Sequence, residues 1–188
     1  MTQIYFVRHA EPNYRNHDDA SRELSPRGLA DRELVTAFLM DKGIDAVLSS
    51  PYRRAVDTVR HFADTARLPV QHIADFRERE VADEWIEDFN GFSRQQWADF
   101  DFALPGGECL RAVQSRNIAA LEQVLEEHRG QRVVIGGHGT AISTVLNHFD
   151  PTFGHEGFER IRRLMPWIVR LDFEGNHFLG YEEFQLKA

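Results

Sequence analysis

Three short β-forming runs, QIYFVR at 3–8, DAVLSS at 45–50 and RVVIGG at 132–137, alternate along this chain with segments of helical period. The first and third are apolar on consecutive residues, so strands made from them must be covered on both faces. Strands of this kind in strand–helix–strand–helix order leave few architectures open. Parallel neighbours need long crossovers, and helical crossovers supply the covering layers. The expected fold is an α/β, three-layer α/β/α sandwich with a mostly parallel central sheet.

The remaining elements fit around that sheet. Residues 26–42 predict a helix, with Ser25 as N-cap, Pro26 in the first helical position and Gly43 closing the end. Its apolar stripe is Ala30, Leu34, Val35, Phe38 and Leu39. Further helices are expected over 52–66, 108–128 and 140–149, and a short strand over 70–75. The long helix places Leu110, Val113, Leu121, Val124 and Leu125 on one face. The C-terminal stretch WIVRLDFEGNHFLGYEEF reads as a β-hairpin turning at Glu174-Gly175-Asn176. The MPWIV segment at 165–169 suits core packing and docking of a second subunit equally.

Between about 77 and 107 the periodicity loosens, and acids mix with Trp85, Phe89, Phe92, Trp97, Phe100 and Phe102. This predicts a cap-like excursion carrying short helices, ended by PGG at 105–107. It can serve as a substrate lid or as a satellite cluster that only packs. With 188 residues and neither linker nor repeat, one domain over 1–188 is expected.

Composition narrows the partners. The formal charge is -8, from 22 basic and 30 acidic side chains, a field that repels nucleic acid and anionic membrane. The same field should repel a phosphorylated metabolite, unless positive charge is concentrated locally. Only Lys42 and Lys187 are lysines, so the positive charge is almost all guanidinium; arginine-favouring genomic composition is the default reading, and grip on planar or tetrahedral anions through fixed forks is the functional one, which only position can select. Cys109 is the single cysteine, which excludes an intramolecular disulfide and a Cys-based metal site. No apolar run has the length of a membrane span, and the opening MTQIYFVRHA lacks a charged leader. The cytosol, a cytoplasmic location, is the simplest expectation.

Chemistry gathers at strand ends. FVRHAEP leaves the first strand with Arg8 and His9, LSSPYRRAVDT leaves the second with Arg53 and Arg54, and VVIGGHGT leaves the strand at 132–137 with His138. In open α/β sheets, ligands bind beyond the carboxyl ends of the strands. Helix starts at that edge add free N–H groups that suit an anion. Any one of these signals is commonplace, and it is their convergence on equivalent strand ends that points to an anion site. The other histidines, His17, His61, His72, His128, His148, His155 and His177, show no metal-ligand spacing. Arg160, Arg162 and Arg163 read as a solvated helix face.

With those residues in place, the chain resembles the histidine phosphatase superfamily, also called the phosphoglycerate mutase-like family. Arg8-His9-Ala10 stands where that family has Arg-His-Gly. LSPRG at 24–28, SSPYRRAVDT at 49–58, FRER at 76–79, PGGECL at 105–110 and VIGGHGT at 134–140 follow in family order. The resemblance implies a phosphoglycerate mutase-like fold, His9 as the nucleophile that becomes phosphohistidine, and Arg8, Arg54 and His138 as the phosphate pocket. It implies Glu78 as proton donor to the leaving oxygen and His138 as part of the catalytic group. It sets Glu108 and Cys109 where the family has a Glu-Ser pair beside the pocket. Arg15 lies where many members have a phosphate-contacting asparagine, and Asn16 is adjacent, so both are candidate substrate contacts. No cofactor and no metal are implied.

The chemistry of these residue types agrees. A neutral imidazole is a nucleophile near pH 7, and attack on phosphorus splits one displacement into two. Guanidinium forks match the charge on the equatorial oxygens, which removes the need for a divalent cation. An alkoxide leaves only if an acid protonates it, and the same group can then deprotonate water. Beyond Glu78 the sequence REVADEWIEDFNGF departs from the family's Gly-rich stretch, so Glu80 and Glu84 stand as rivals for that role. Ala10 in place of glycine is a small change compatible with activity.

The leading expectation is a phosphatase acting on small phosphorylated substrates or on a phosphoprotein. Phosphoglycerate mutase-type transfer is a second reading, weakened because mutases of this family carry extra closing segments. A non-catalytic phosphate-binding or interaction module is a third.

Overall fold

The computed structural model of the chain describes residues 1–186. Six strands form one sheet: β1 (Thr2–Arg8), β2 (Ala46–Ser49), β3 (Val70–His72), β4 (Arg132–Gly137), β5 (Trp167–Glu174) and β6 (His177–Phe184). Their order across the sheet is β3-β2-β4-β1-β5-β6. The β3-β2, β2-β4 and β4-β1 ladders are parallel, and β5 pairs antiparallel with both β1 and β6. The sandwich and the mostly parallel sheet expected from the sequence are therefore present.

Alternation along β1 feeds two cores. Tyr5 and Val7 join Val35 and Leu39 of α1 (Pro26–Leu39) with Val59 and Phe62 of α2 (Arg53–Ala66). Ile4 and Phe6 face the other way, into a cluster with α4 (Leu110–Glu127), α5 (Gly139–Phe149) and α6 (His155–Arg162). Side chains alternate across a strand, so a strand apolar at every position must be covered on both sides, and here it is. The MPWIV segment packs inward: Trp167, Ile168 and Val169 are fully buried in β5.

Several expected elements shift. Ser25 caps α1 by accepting the Gly28 N–H at 3.0 Å, but the helix stops at Leu39 rather than 42. Its last turn tightens into a Lys42 N–H to Leu39 carbonyl bond before Gly43 takes a φ of 63°. Ala30 is exposed, and Gly28 is buried instead. A Cβ on Gly28 would lie 2.1 Å from the Glu11 carbonyl oxygen, so the helix approaches the β1 exit loop on a face without a side chain. The strand expected over 70–75 keeps only three residues before a 3-10 turn at Ala74–Phe76. The excursion at 77–107 holds a single helix, α3 (Phe89–Ala98), capped by Asp88 accepting the Gly91 N–H at 2.8 Å. The hairpin turns at Gly175-Asn176 as expected.

Connectivity fixes where a ligand can enter. The crossovers after β1 and β2 run to α1 and α2 on one face, while β4, lying between those strands, runs to α5 on the other. Chain leaving neighbouring strands in opposite directions opens a crevice at their carboxyl ends.

Candidate active site

Register brings the strand-end residues together. Arg8 pairs with Gly137, and Ser49 with Gly136, so His9, His138 and Ser50 leave the sheet side by side. Backbone bonds continue the alignment past the ladder, with the His9 N–H and the Ser50 N–H donating to Gly137 and Gly136 at 3.1 and 2.8 Å.

His9 is buried, and its Nδ1 lies 2.7 Å from the Ala10 carbonyl. A carbonyl only accepts, so Nδ1 carries the proton and Nε2 holds a free lone pair. The next N–H, that of Ala10, donates to Thr58 Oγ1 at 3.0 Å, and that hydroxyl donates to the Arg54 carbonyl at 2.7 Å. The loop carrying His9 is thus tied to the first turns of α2. Burial lowers the His9 pKa well below its ordinary value, and the cations Arg54 and Arg8 lower it further. The imidazole is held neutral.

Arg8 is buried, its Nη1 donating to the carbonyls of Ile161 and Leu164 while Nε has no partner. Burial lowers its pKa to about 10, which leaves it a cation at neutral pH. A Cβ on Gly139 would stand 3.0 Å from that Nε, so the glycine lets the guanidinium lie against the head of α5. Arg54, also buried, pairs through Nη2 with Asp19 Oδ1 at 3.0 Å, and Arg22 reaches the same oxygen at 3.1 Å.

His138 is fully buried and its ring lies 5.5 Å from that of His9. Its Nε2 is 2.8 Å from Ser50 Oγ, while its Nδ1 is buried with no partner. Burial first, then the charge of Arg54, lowers its pKa well below the ordinary histidine value. It stands behind His9 rather than on the cavity wall.

Glu78 sits at the head of α5. Its Oε2 accepts the Thr140 N–H and its Oε1 the Ala141 N–H, both at 3.1 Å, with Oε1 also accepting the Arg79 N–H at 2.8 Å. These are donors a helix start leaves free. Glu78 is anchored from behind by Arg116, whose guanidinium donates to the Asp75, Arg77 and Glu78 carbonyls. Arg116 is in turn held by Glu108 at 2.9 and 2.8 Å.

A cavity of about 770 Å³ opens over this group. Arg8, His9, Arg54 and Glu78 line it, together with Arg22, Arg79, Glu80, Trp85, Phe89 and Arg162. Four of the other expected contacts lie elsewhere. Arg15 is exposed off the wall, and Asn16 donates to Glu23 at 2.9 Å; Arg22 and Asp19 occupy the wall their loop was expected to supply. Glu108 is spent on Arg116 and on the Glu80 N–H at 3.0 Å, as a strut behind the site. Cys109 is the N-cap of α4, its Sγ accepting the Ala112 N–H at 3.4 Å, the place a serine would fill. Glu80 and Glu84 do reach the wall. Burial first, then the like charges of Asp19, Glu108 and Asp83, raise the Glu80 pKa.

Asp19 and Arg22 carried no sequence signal of their own, and Arg79 stood only as part of FRER, with no role assigned to it. They sit on segments without periodicity, and only the fold of those segments turns them inward. Arg162, expected on a solvated helix face, also reaches the wall.

Comparison with known proteins places the fold in a family. The model of the histidine phosphatase superfamily (branch 1) matches residues 4–180. The metal-independent phosphoserine phosphatase of Arabidopsis thaliana is 29% identical over 163 residues, covering 77% of this chain and 67% of that protein. The probable phosphoglycerate mutase GpmB of Salmonella typhi is 27% identical over 198 residues, covering 96% and 89%. Among solved structures, a mycobacterial glucosyl-3-phosphoglycerate phosphatase superposes with a TM-score of 0.79 at 18% identity, covering 98% of this chain and 99% of that one. Phosphoserine phosphatase from Entamoeba histolytica gives 0.76 at 18% identity, covering 95% and 94%. At that identity the superposition speaks for the fold.

Proposed function

This chain belongs to the histidine phosphatase superfamily, branch 1, and we propose that it is a metal-independent phosphatase hydrolysing phosphomonoesters through a phosphohistidine on His9. One observation carries the reading: an imidazole held neutral, with Nε2 free, shares a cavity with two buried guanidiniums and a carboxyl at a helix head.

The steps follow from these groups. Arg8 and Arg54 hold the phosphoryl oxygens, with the unpartnered Arg8 Nε as a further donor such oxygens can satisfy, while His138 packs behind His9. His9 Nε2 attacks phosphorus, the phosphorus–oxygen ester bond breaks, and Glu78 as the acid gives its proton to the leaving alkoxide. Glu78, now a carboxylate, takes a proton from water as the water oxygen attacks phosphorus. The nitrogen–phosphorus bond breaks and inorganic phosphate leaves. Guanidinium charge does the neutralising that a divalent cation does elsewhere.

The names of two relatives, a phosphoserine phosphatase and a glucosyl-3-phosphoglycerate phosphatase, support hydrolysis of a small phosphorylated metabolite. The GpmB relative keeps mutase-type transfer as the second reading. A mutase must hold its phosphoenzyme against water, whereas the Trp85 side of this cavity lies open to solvent, with Trp85 67% exposed.

Mass spectrometry of protein quenched during turnover of a phosphomonoester panel should find an acid-labile phosphoryl group on His9. Undiminished turnover in His9→Ala would remove the proposal. Fast 2-phosphoglycerate formation from 3-phosphoglycerate and a bisphosphate primer, with little free phosphate, would select the mutase.

A further inference from the structure

Gln96 is a fully buried amide on α3 that the proposed chemistry does not use. Its Oε1 accepts from Arg79 Nη1 at 2.9 Å, and its Nε2 donates to the carbonyls of Phe102 and Glu108 at 3.0 and 2.9 Å. A guanidinium only donates and a carbonyl only accepts, so one orientation of the amide satisfies all three partners.

Two of those partners hold the proposed acid. Arg79 gives its backbone N–H to Glu78 Oε1 at 2.8 Å and its guanidinium to Gln96. The same guanidinium lies 5.5 and 5.1 Å from the ring centres of Phe89 and Phe92. Residues 89, 92 and 96 are three and four apart, so a single face of α3 grips Arg79. Glu108, the second partner, exchanges backbone and side-chain bonds with Glu80, at 2.8 Å through its own N–H and 3.0 Å through its carboxylate. Its carboxylate also holds Arg116, which binds the Asp75, Arg77 and Glu78 carbonyls. The backbone on either side of Glu78 thus leads back to one amide. α3 is itself fixed, because Trp97, next to Gln96, packs in the larger core with its ring 5.9 Å from that of Phe158 on α6.

We propose that Gln96 is a positioning residue for Glu78, and that the excursion at 77–107 serves as the scaffold of the acid. The inference rests on the phosphatase reading with Glu78 as its acid. Proton transfer to a leaving oxygen requires hydrogen-bond geometry, and small displacements of the acid are costly in rate. Without the amide, buried Arg79 and two carbonyls lose a partner, and the segment must shift to satisfy them. Arg8, His9 and Arg54 come from the β1 and β2 ends and do not share these bonds. The plainer role for Gln96 is cement for α3 alone, which every substrate and every step would feel alike.

Gln96→Met keeps the length of the side chain and removes its polar atoms. Turnover of an alkyl phosphate should fall about 10- to 100-fold, while the burst rate on p-nitrophenyl phosphate and inhibition by inorganic phosphate stay near those of the parent. In a Glu78→Gln background the same change should lower alkyl turnover no further, since neighbours that act through one group are not additive. Amide exchange at Thr140 and Ala141, whose N–H groups Glu78 accepts, should speed up relative to the amides of β4. Equal loss on alkyl turnover and aryl burst overturns the proposal, as do a fully additive double variant and unchanged relative exchange at those two amides. If Gln96→Met does not fold, Gln96→Asn keeps an amide too short to span all three partners and is judged by the same three readouts. Glu78→Gln alone separates the two levels. Full alkyl turnover in it removes the acid and this proposal with it; selective loss there, without selective loss in the Gln96 variants, removes the positioning role and leaves the acid.

Discussion

Glu78 and Thr140 are joined across 62 residues of chain by a 3.1 Å hydrogen bond, in which the backbone N–H at the head of α5 donates to the carboxylate Oε2. This bond ties the excursion after β3 to the helix after β4, and it holds the proposed acid on the cavity that the proposed nucleophile also lines. His138 is the residue on which that helix begins.

If Glu78 serves both half-reactions, Glu78→Gln should separate them by leaving group. Alkyl phosphate turnover should fall about 10²- to 10⁴-fold. p-Nitrophenolate leaves without a proton, so an aryl phosphate should give a burst of one equivalent followed by slow turnover. Stopped-flow absorbance reads this directly. The same pattern in Glu80→Gln or Glu84→Gln would move the role to that residue.

The neutral state of His9 sets the acid limb of activity. Its pKa is lowered well below 6.5 by burial and by Arg54 and Arg8, so the free enzyme keeps its nucleophile deprotonated on the acid side of ordinary histidine. The acid limb of kcat/KM, corrected for the substrate's own second ionisation near about 6, should lie below pH 6.5. A limb at or above that value contradicts the burial argument.

The same burial ties stability to pH. His9 and His138 are both held neutral in the fold, and both gain a proton in the unfolded chain below about 6.5. The unfolded state therefore binds more protons there, and stability falls as pH drops through that value toward the lower folded pKa values. The slope approaches about 1.4 kcal/mol per pH unit for each histidine. Urea titrations between pH 7.5 and 5.5 should show it, and His138→Gln should reduce the slope.

Arg116 should act on catalysis without touching substrate. It holds three carbonyls of the 75–78 segment and is paired with Glu108. Arg116→Met should cost about 1–3 kcal/mol, because a half-buried carboxylate and those carbonyls lose their partner. It should also lower kcat about 10- to 100-fold through displacement of Glu78, with little change in inhibition by inorganic phosphate. An equal fall for aryl and alkyl phosphates in the phosphorylation step would mean that Arg116 supports something other than the acid.

Much of this was legible from order and pattern. Continuous apolar strands could be satisfied only by cover on both faces, and QIYFVR and RVVIGG became the adjacent central strands. Arg8, His9, Arg54 and His138 converge because strand ends in a parallel sheet share an edge. A local rule also held at Ser25, which caps its helix as expected. Patterning failed where a contact was made by backbone. Gly28 is buried in place of Ala30 because its helix packs on the Glu11 carbonyl, and no scale of side-chain hydrophobicity registers that.

The initial objection from charge is answered by the same distinction. A chain of formal charge -8 still builds a cationic floor from Arg8 and Arg54, because contacts of a few ångström in a buried site outweigh a field screened beyond about 10 Å. The sequence by itself determined the sheet, its layers and the strand ends at which arginine and histidine meet, since these follow from periodicity and chain order. Only the tertiary structure decided which loop residues complete the wall. Asp19, Arg22 and Arg79 turn inward, Arg15 and Asn16 turn away, and Glu108 withdraws to hold Arg116. The physical reason is that an irregular segment has no period to aim its side chains. Their direction is set by the partners that folding brings from distant parts of the chain.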